Sequence, residues 1–332
     1  MSGTSKLYSL KDICIIPNGI SNIKPYNINI YYNNTLPLFT FPSSDIVTIE
    51  NISLYEKNKI TPIIPSDIDL NIRYDYLIQG KWVELKYNEL KLLFTDKFPI
   101  KEYSNIKICI KPDTGYNMLA LEYARELKTL ANKHHIILYI MYGPIYDLNS
   151  FKYIKELNNI FNNNVKNANN IRVINYLRIG PYNEYVSHYK GLTTILTYIK
   201  NNKSEFNPQI IVDSNEIKSY TDIATSLILG ANYVMCKDMF IPLLESGINF
   251  DKSYKFKIID KLGNTDEDIE LQKIEFLSKY KNKLYKNSNV CTQTITQWTI
   301  GFEKCLKTFL SDLNCSDIRH LNTMNITYQL LN

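Results

Sequence analysis

Side chains able to do chemistry fall in a few short stretches of this chain. One reads Glu184-Tyr185-Val186-Ser187-His188, which sets a carboxylate and an imidazole four residues apart, with a phenol and a hydroxyl between them. A carboxylate and an imidazole held within hydrogen-bonding reach can exchange protons with a substrate near neutral pH. Neighbouring polar residues in a loop are also what solvation alone produces, and both readings stand. A second stretch closes the apolar run 210–212 with Asp213, followed by Ser214 and Asn215. A third follows the run 233–236 with Lys237 and Asp238. The lysine could hold a phosphate as a point charge, although the aspartate beside it would repel one. Cys236, just ahead of them, is a nucleophile in principle, but its place at the end of an apolar run suits a core thiol.

Composition narrows the classes. The chain has 332 residues, 45% hydrophobic and 21% charged, which suits a globular protein with a sizeable core. A net charge of +5 is spread thinly, without a Lys/Arg run or a basic-aromatic patch, so nucleic acid is not an expected partner. None of the six cysteines forms a Cys-x-x-Cys pair, and the four histidines lack metal-ligand spacing, so reduced thiols and no metal are expected. The start lacks a charged-then-apolar leader and no apolar run reaches the length of a membrane span. A cytoplasmic protein with no membrane partner is the expectation. Glycines number only 11, and loops that press backbone N–H groups against a phosphate usually need glycine.

Strands must end where the polar stretches begin. Buried strands are expected at 36–42, 60–64, 92–95, 106–110, 136–141, 171–179, 210–212 and 233–236. Helices are expected at 49–59, 117–132, 148–161, 191–201 and 223–229, the last capped by Asp222 and stopped by Gly230. Residues 65–89 are ambiguous, and 82–85 suit either a hairpin strand or part of a helix. A polar, lysine-rich stretch, 248–290, precedes an amphipathic helix at 301–313. Eight strands alternating with helices make an α/β protein, a single (β/α)8 TIM barrel over 1–332, whose chemistry would sit on the loops following the strands.

Taken in order, several stretches resemble the IMP dehydrogenase/GMP reductase family. Asp213, Asp222-Ile223-Ala224, Leu229-Gly230-Ala231, Val234-Met235, Met239 and Glu245-Ser246 follow that family's last two barrel strands. Residues 10–17, 36–48 and 106–117, Gly180-Pro181 and Lys279-Tyr280-Lys281 are similar to further family segments. The resemblance implies the short form without CBS domains, typical of GMP reductases, with 248–290 in place of the mobile flap and a homo-oligomer, a tetramer in the family.

In that family a cysteine in the loop after strand six attacks the purine, and a nicotinamide cofactor carries hydride. The resemblance places Tyr185 at the cysteine position, Ser187 at a threonine two residues later, and Gln293 near the glutamate ahead of the last helix. A phenol, with a reference pKa of about 10, is a poor nucleophile, and its ring would fill space owed to the purine. Nucleotide contacts map to Gly180, Asp213, Ser214, Asn215, Lys237 and Asp238, with Asp213 matching the family's ribose-contacting aspartate. NAD(P) contacts map to Lys111, Asp113 and Gly115. Both phosphate-holding glycine pairs are missing.

The resemblance thus implies a divergent protein of purine nucleotide metabolism, with IMP or GMP as its ligand. Its Cys-dependent oxidoreductase chemistry is expected to be lost or greatly reduced, leaving nucleotide binding or a scaffold role. Two alternatives stand beside it. One is an active NADP(H)-using reductase rebuilt on Tyr185, Glu184, Ser187 or His188. The other is a structural or assembly protein that reuses the barrel.

Overall fold

A strand buried on both faces must offer apolar side chains at successive positions, and here the two faces do different work. The computed structural model describes residues 9–17, 20–90, 105–111, 118–145, 156, 159–160, 173–180, 192–193, 196, 209–247, 293–324 and 327–330. A short strand β1 (Ile13–Ile16) precedes the eight strands of the main sheet. These are β2 (Leu38–Thr40), β3 (Ile63–Ile64), β4 (Trp82–Lys86), β5 (Asn105–Lys111), β6 (Ile137–Ile145), β7 (Val173–Ile179), β8 (Gln209–Val212) and β9 (Tyr233–Cys236). All pair in parallel, in the order β2-β9-β8-β7-β6-β5-β4-β3.

The ring closes between β2 and the approach to β3. Phe39 and Thr61 form a parallel bridge, with Thr40 N–H donating to the Thr61 carbonyl and Thr61 N–H to the Leu38 carbonyl, both at 3.0 Å. The next rung uses a side chain, because the Ile63 N–H donates to Thr40 Oγ1 at 2.9 Å. The protein is therefore a single (β/α)8 barrel.

Alternation along each strand divides the core in two. Leu38, Val83, Leu85, Ile108, Ile110, Ile210 and Val212 face outward into the layer shared with the helices. Phe39, Ile63, Trp82, Cys109, Met141, Ile211 and Met235 face the barrel axis. The helices are α1 (Ile52–Lys57), α2 (Leu70–Ile78), α3 (Tyr87–Leu90), α4 (Met118–His134), α5 (Tyr220–Ile228) and α6 (Ile295–Asp312). None of those among the described residues is long and apolar enough to cross a membrane.

Several expectations need correction. The third strand of the ring is β4, not 92–95, which lie outside the described residues. Glu84 interrupts the apolar run of β4 and so hid a strand that is buried on both faces. The cap of α5 is Ser219, three residues ahead of the expected Asp222. Ser219 Oγ accepts from the Asp222 N–H at 3.2 Å, while the Asp222 carboxylate accepts from the Lys218 N–H at 2.9 Å and from the Ser219 hydroxyl at 2.8 Å. Gly230 does stop the helix, with φ at +117°. A C-terminal strand β10 (Thr327–Leu330), which the sequence did not suggest, pairs antiparallel with β1, Ile13 lying opposite Leu330. The expected helices at 148–161 and 191–201 fall largely outside the described residues, as does all of 248–290.

Helix α6 begins at Ile295 rather than 301, because Thr294 and Gln297 form a reciprocal capping box there. Its first N–H, from Ile295, donates to the Glu245 carboxylate at 2.9 Å. Burial pushes the Glu245 pKa up to about 7, against the pull of the backbone hydrogen bonds. A carboxyl whose folded-state pKa lies above its unfolded value binds more protons when folded, so stability falls as pH rises through that interval. Between roughly pH 4.5 and pH 7 this one group should remove about 3 kcal/mol of stability. Glu245→Gln keeps an acceptor for Ile295 without the titration. The expected result in urea unfolding is a shallower decline of stability between pH 5 and pH 8 than in the parent.

Candidate functional site

The carboxyl ends of the strands bring together the charged side chains that face the axis. Arg178, on β7, is 5% exposed and crosses to Asp213 at the end of β8. Its Nη2 and Nε donate to Asp213 Oδ2 at 2.5 and 3.1 Å. Nη1 lies 3.7 Å from Cys109 Sγ on β5, and the guanidinium stands 5.9 Å from the centre of the Phe41 ring. Burial opposes the guanidinium charge, but Asp213, Cys109 and Glu84 together outweigh it, and the Arg178 pKa is raised. The cation is permanent.

The backbone makes this pairing possible. The Asp213 N–H donates to the Ile179 carbonyl at 2.7 Å, and a Cβ on Gly180 would sit 1.4 Å from the Asp213 carbonyl oxygen. Only glycine allows β7 and β8 to run so close at their ends. Gly180 therefore positions Asp213 from behind.

A second polar group lies across the mouth. Glu84, on β4, accepts from the Ser66 N–H at 3.1 Å. Lys111 Nζ, at the end of β5, stands 3.8 Å from Glu84 Oε2 and 2.9 Å from Ser66 Oγ. Lys237 follows β9, with its Nζ 5.2 Å from the Phe41 ring centre. Phe41 thus has two cations near its ring, Arg178 and Lys237.

Of the residues expected to form a site, Gly180, Asp213, Lys237 and Lys111 meet at this mouth. Asp238 does not join them: it is ion-paired with Lys218 on the surface. Ser214 Oγ accepts from the Glu216 N–H at 3.1 Å, and Asn215 is exposed. That loop is tied down further on, because Glu216 accepts from the Leu10 N–H at 2.9 Å and from the Leu192 N–H at 3.4 Å. Gln293 is exposed ahead of α6, its carbonyl accepting from the Leu244 N–H. Glu184, Tyr185, Ser187, His188, Asp113 and Gly115 lie outside the described residues.

The two thiols near the mouth are poor nucleophiles. Burial pushes the Cys109 pKa up to about 12 despite the opposing charge of Arg178. Cys236 is fully buried on the outer face of β9, and burial followed by the charge of Asp213 raises its pKa as well. It is a core thiol. Among the described residues no group of three His, Cys, Asp or Glu is placed to hold a metal ion.

Arg178, Glu84, Cys109, Ser66 and Phe41 were not anticipated as site residues. The sequence signal was present for two of them: Leu177-Arg178-Ile179 and Val83-Glu84-Leu85 each place a charge inside an apolar run. In a strand buried on both faces such a charge must point along the axis and find a partner. No family model matches this chain, and no curated protein matches it.

Removing one member of a buried ion pair leaves the other charge without compensation, at a cost of about 3–5 kcal/mol. Arg178→Met should therefore lower the unfolding free energy by about that amount. Arg178→Met combined with Asp213→Leu should recover most of the loss. Urea unfolding of the two single variants and the double variant measures the coupling.

Proposed function

We propose that this chain is a divergent barrel of the IMP dehydrogenase/GMP reductase type whose Cys-dependent oxidoreductase chemistry is lost and whose hold on a purine nucleotide is weakened, leaving a scaffold role. The observation that carries this reading is the Arg178–Asp213 pair. Asp213, the residue whose match in the resemblance contacts a nucleotide ribose, already holds a guanidinium inside the barrel. A nucleotide entering there would have to draw the carboxylate away from a buried cation. By the cost of breaking such a pair, that weakens binding roughly a hundred- to several-thousand-fold.

Three further features support the same reading. In the resemblance Tyr185 takes the position of the reactive cysteine, and a phenol does not supply a thiolate at neutral pH. The thiols beside the mouth, Cys109 and Cys236, are buried and held protonated. The residues at the phosphate positions, Ser214, Asn215, Lys237 and Asp238, carry side chains where backbone cradles need glycine.

The test is turnover and covalent capture. The full chain, mixed with GMP and NADPH, or with IMP and NAD or NADP, should show no change in nicotinamide absorbance. Intact-mass spectrometry after incubation with IMP should show no adduct. Tyr185→Cys should stay inactive, since the mouth remains occupied by Arg178. Measurable hydride transfer by the parent or by that single variant would overturn the proposal.

A further inference from the structure

The opposite end of the barrel has a different character. Where such barrels usually fill the axis with branched aliphatic side chains, this one carries a layer of rings from five strands: Phe39, Trp82, Tyr139, Tyr176 and Tyr233. They meet edge to face or tilted, with Trp82 and Tyr176 centres 5.0 Å apart at 85° and Phe39 and Tyr233 centres 5.2 Å apart at 68°. Above them opens a cavity of about 520 Å³, a volume typical of small-molecule sites.

Cations outnumber acids among the charged residues that line that cavity. Lys59, Lys81 and Lys107 face a single acid, Glu56. Glu56 is committed to Lys81 at 2.5 Å, and Lys59 lies over the Tyr31 ring at 4.1 Å. Lys107 is half-buried on the inward face of β5 and makes no ion pair or hydrogen bond among the described residues; the one acid near it, Glu56, is shared with Lys81. The Lys107 ammonium lies 5.8 Å from the centre of the Tyr139 ring. A partly desolvated ammonium without an ion pair of its own is a costly arrangement for stability alone. Burial and then the neighbouring Lys81 lower the Lys107 pKa, and the pull of Glu56 the other way does not outweigh them.

The phenols of Tyr139, Tyr176 and Tyr233 line the same cavity and have no hydrogen-bond partner among the described residues. Burial raises the pKa of Tyr176 and of Tyr233, so these two are neutral donors. The rings supply π-faces and edges, the phenols supply donors, and Lys107 supplies the charge.

From this convergence we infer that the amino-terminal mouth of the barrel is a binding site for a small planar anion, an aromatic ring bearing a carboxylate or a phosphate. The ring packs against Trp82 and the tyrosines, and the anionic group meets Lys107. The site lies at the other end of the axis from Arg178 and Asp213, so it does not depend on how the carboxyl-end mouth works.

Calorimetric titration of the full chain with 2-naphthoate and with GMP tests this, with inorganic phosphate and cyclohexanecarboxylate as anions lacking a planar ring. At least one planar anion should bind at a single site, quench the emission of Trp82, and bind about tenfold or more tighter than either control. Which of the two binds separates a carboxylate from a nucleotide phosphate. Lys107→Met should weaken that binding by about tenfold or more while leaving thermal stability unchanged or raised, since no ion pair is broken and Glu56 keeps Lys81. Failure of both planar anions to bind would overturn the inference. So would equal binding by the non-planar controls, or unchanged affinity in Lys107→Met.

Discussion

A closed ring of eight strands is just wide enough for its own inward side chains, and that limit governs the rest of this molecule. Every second residue of every strand points into a shared axis, so the choice of side chain there decides which end can admit anything. The middle is filled by Ile63, Cys109, Met141, Ile211 and Met235. The carboxyl end is filled by an ion pair and the amino end by rings. Outward positions answer a simpler demand and are almost uniformly aliphatic, packing beneath α4, α5 and α6.

At the carboxyl end, filling the axis with charge has consequences of its own. Arg178 and Asp213 are both taken out of water, so each depends on the other, and the guanidinium gains further support from Glu84 and the Phe41 ring. A loop-based site in a barrel works when its strand ends present groups that are free to meet a ligand. Here the most central carboxylate and the most central cation satisfy each other. Lys111 and Lys237 remain nearer the surface, one beside Glu84 and Ser66, the other over Phe41. The mouth holds charge without leaving its central pair open.

Much of the fold was legible because a strand buried on both faces writes itself as an unbroken apolar run. Residues 210–212 and 233–236 did so, and the Gly230 stop followed from position alone. Where a charge broke the run the reading was uneven: β5 and β7 were found despite Lys107 and Arg178, whereas β4 was not settled. Glu84 disguised β4, because a charge in a strand reads as surface until its neighbours are known. Ser219 was overlooked as a cap because Asp222, which supports it, is itself a common capping residue. The site was half legible. Asp213 stood out as a strand-ending carboxylate, but its partner lies 35 residues away on the adjacent strand. Only the parallel register of β7 and β8, with Arg178 opposite Ile211, brings the two together. The ring layer at the amino end was equally hidden, since tyrosines are abundant throughout the chain and only alternation selects Tyr139, Tyr176 and Tyr233.

The account rests on Arg178 staying paired with Asp213 when nucleotide is present. Nitrogen-15 NMR of the arginine Nε–H groups, recorded on the full chain with and without saturating IMP, observes that pair directly. A protected, slowly exchanging Arg178 Nε–H signal, identified by its loss in Arg178→Met and unmoved by IMP, is the predicted result. A signal that shifts or becomes exchangeable on adding IMP would mean that the nucleotide displaces the pair, and would contradict it.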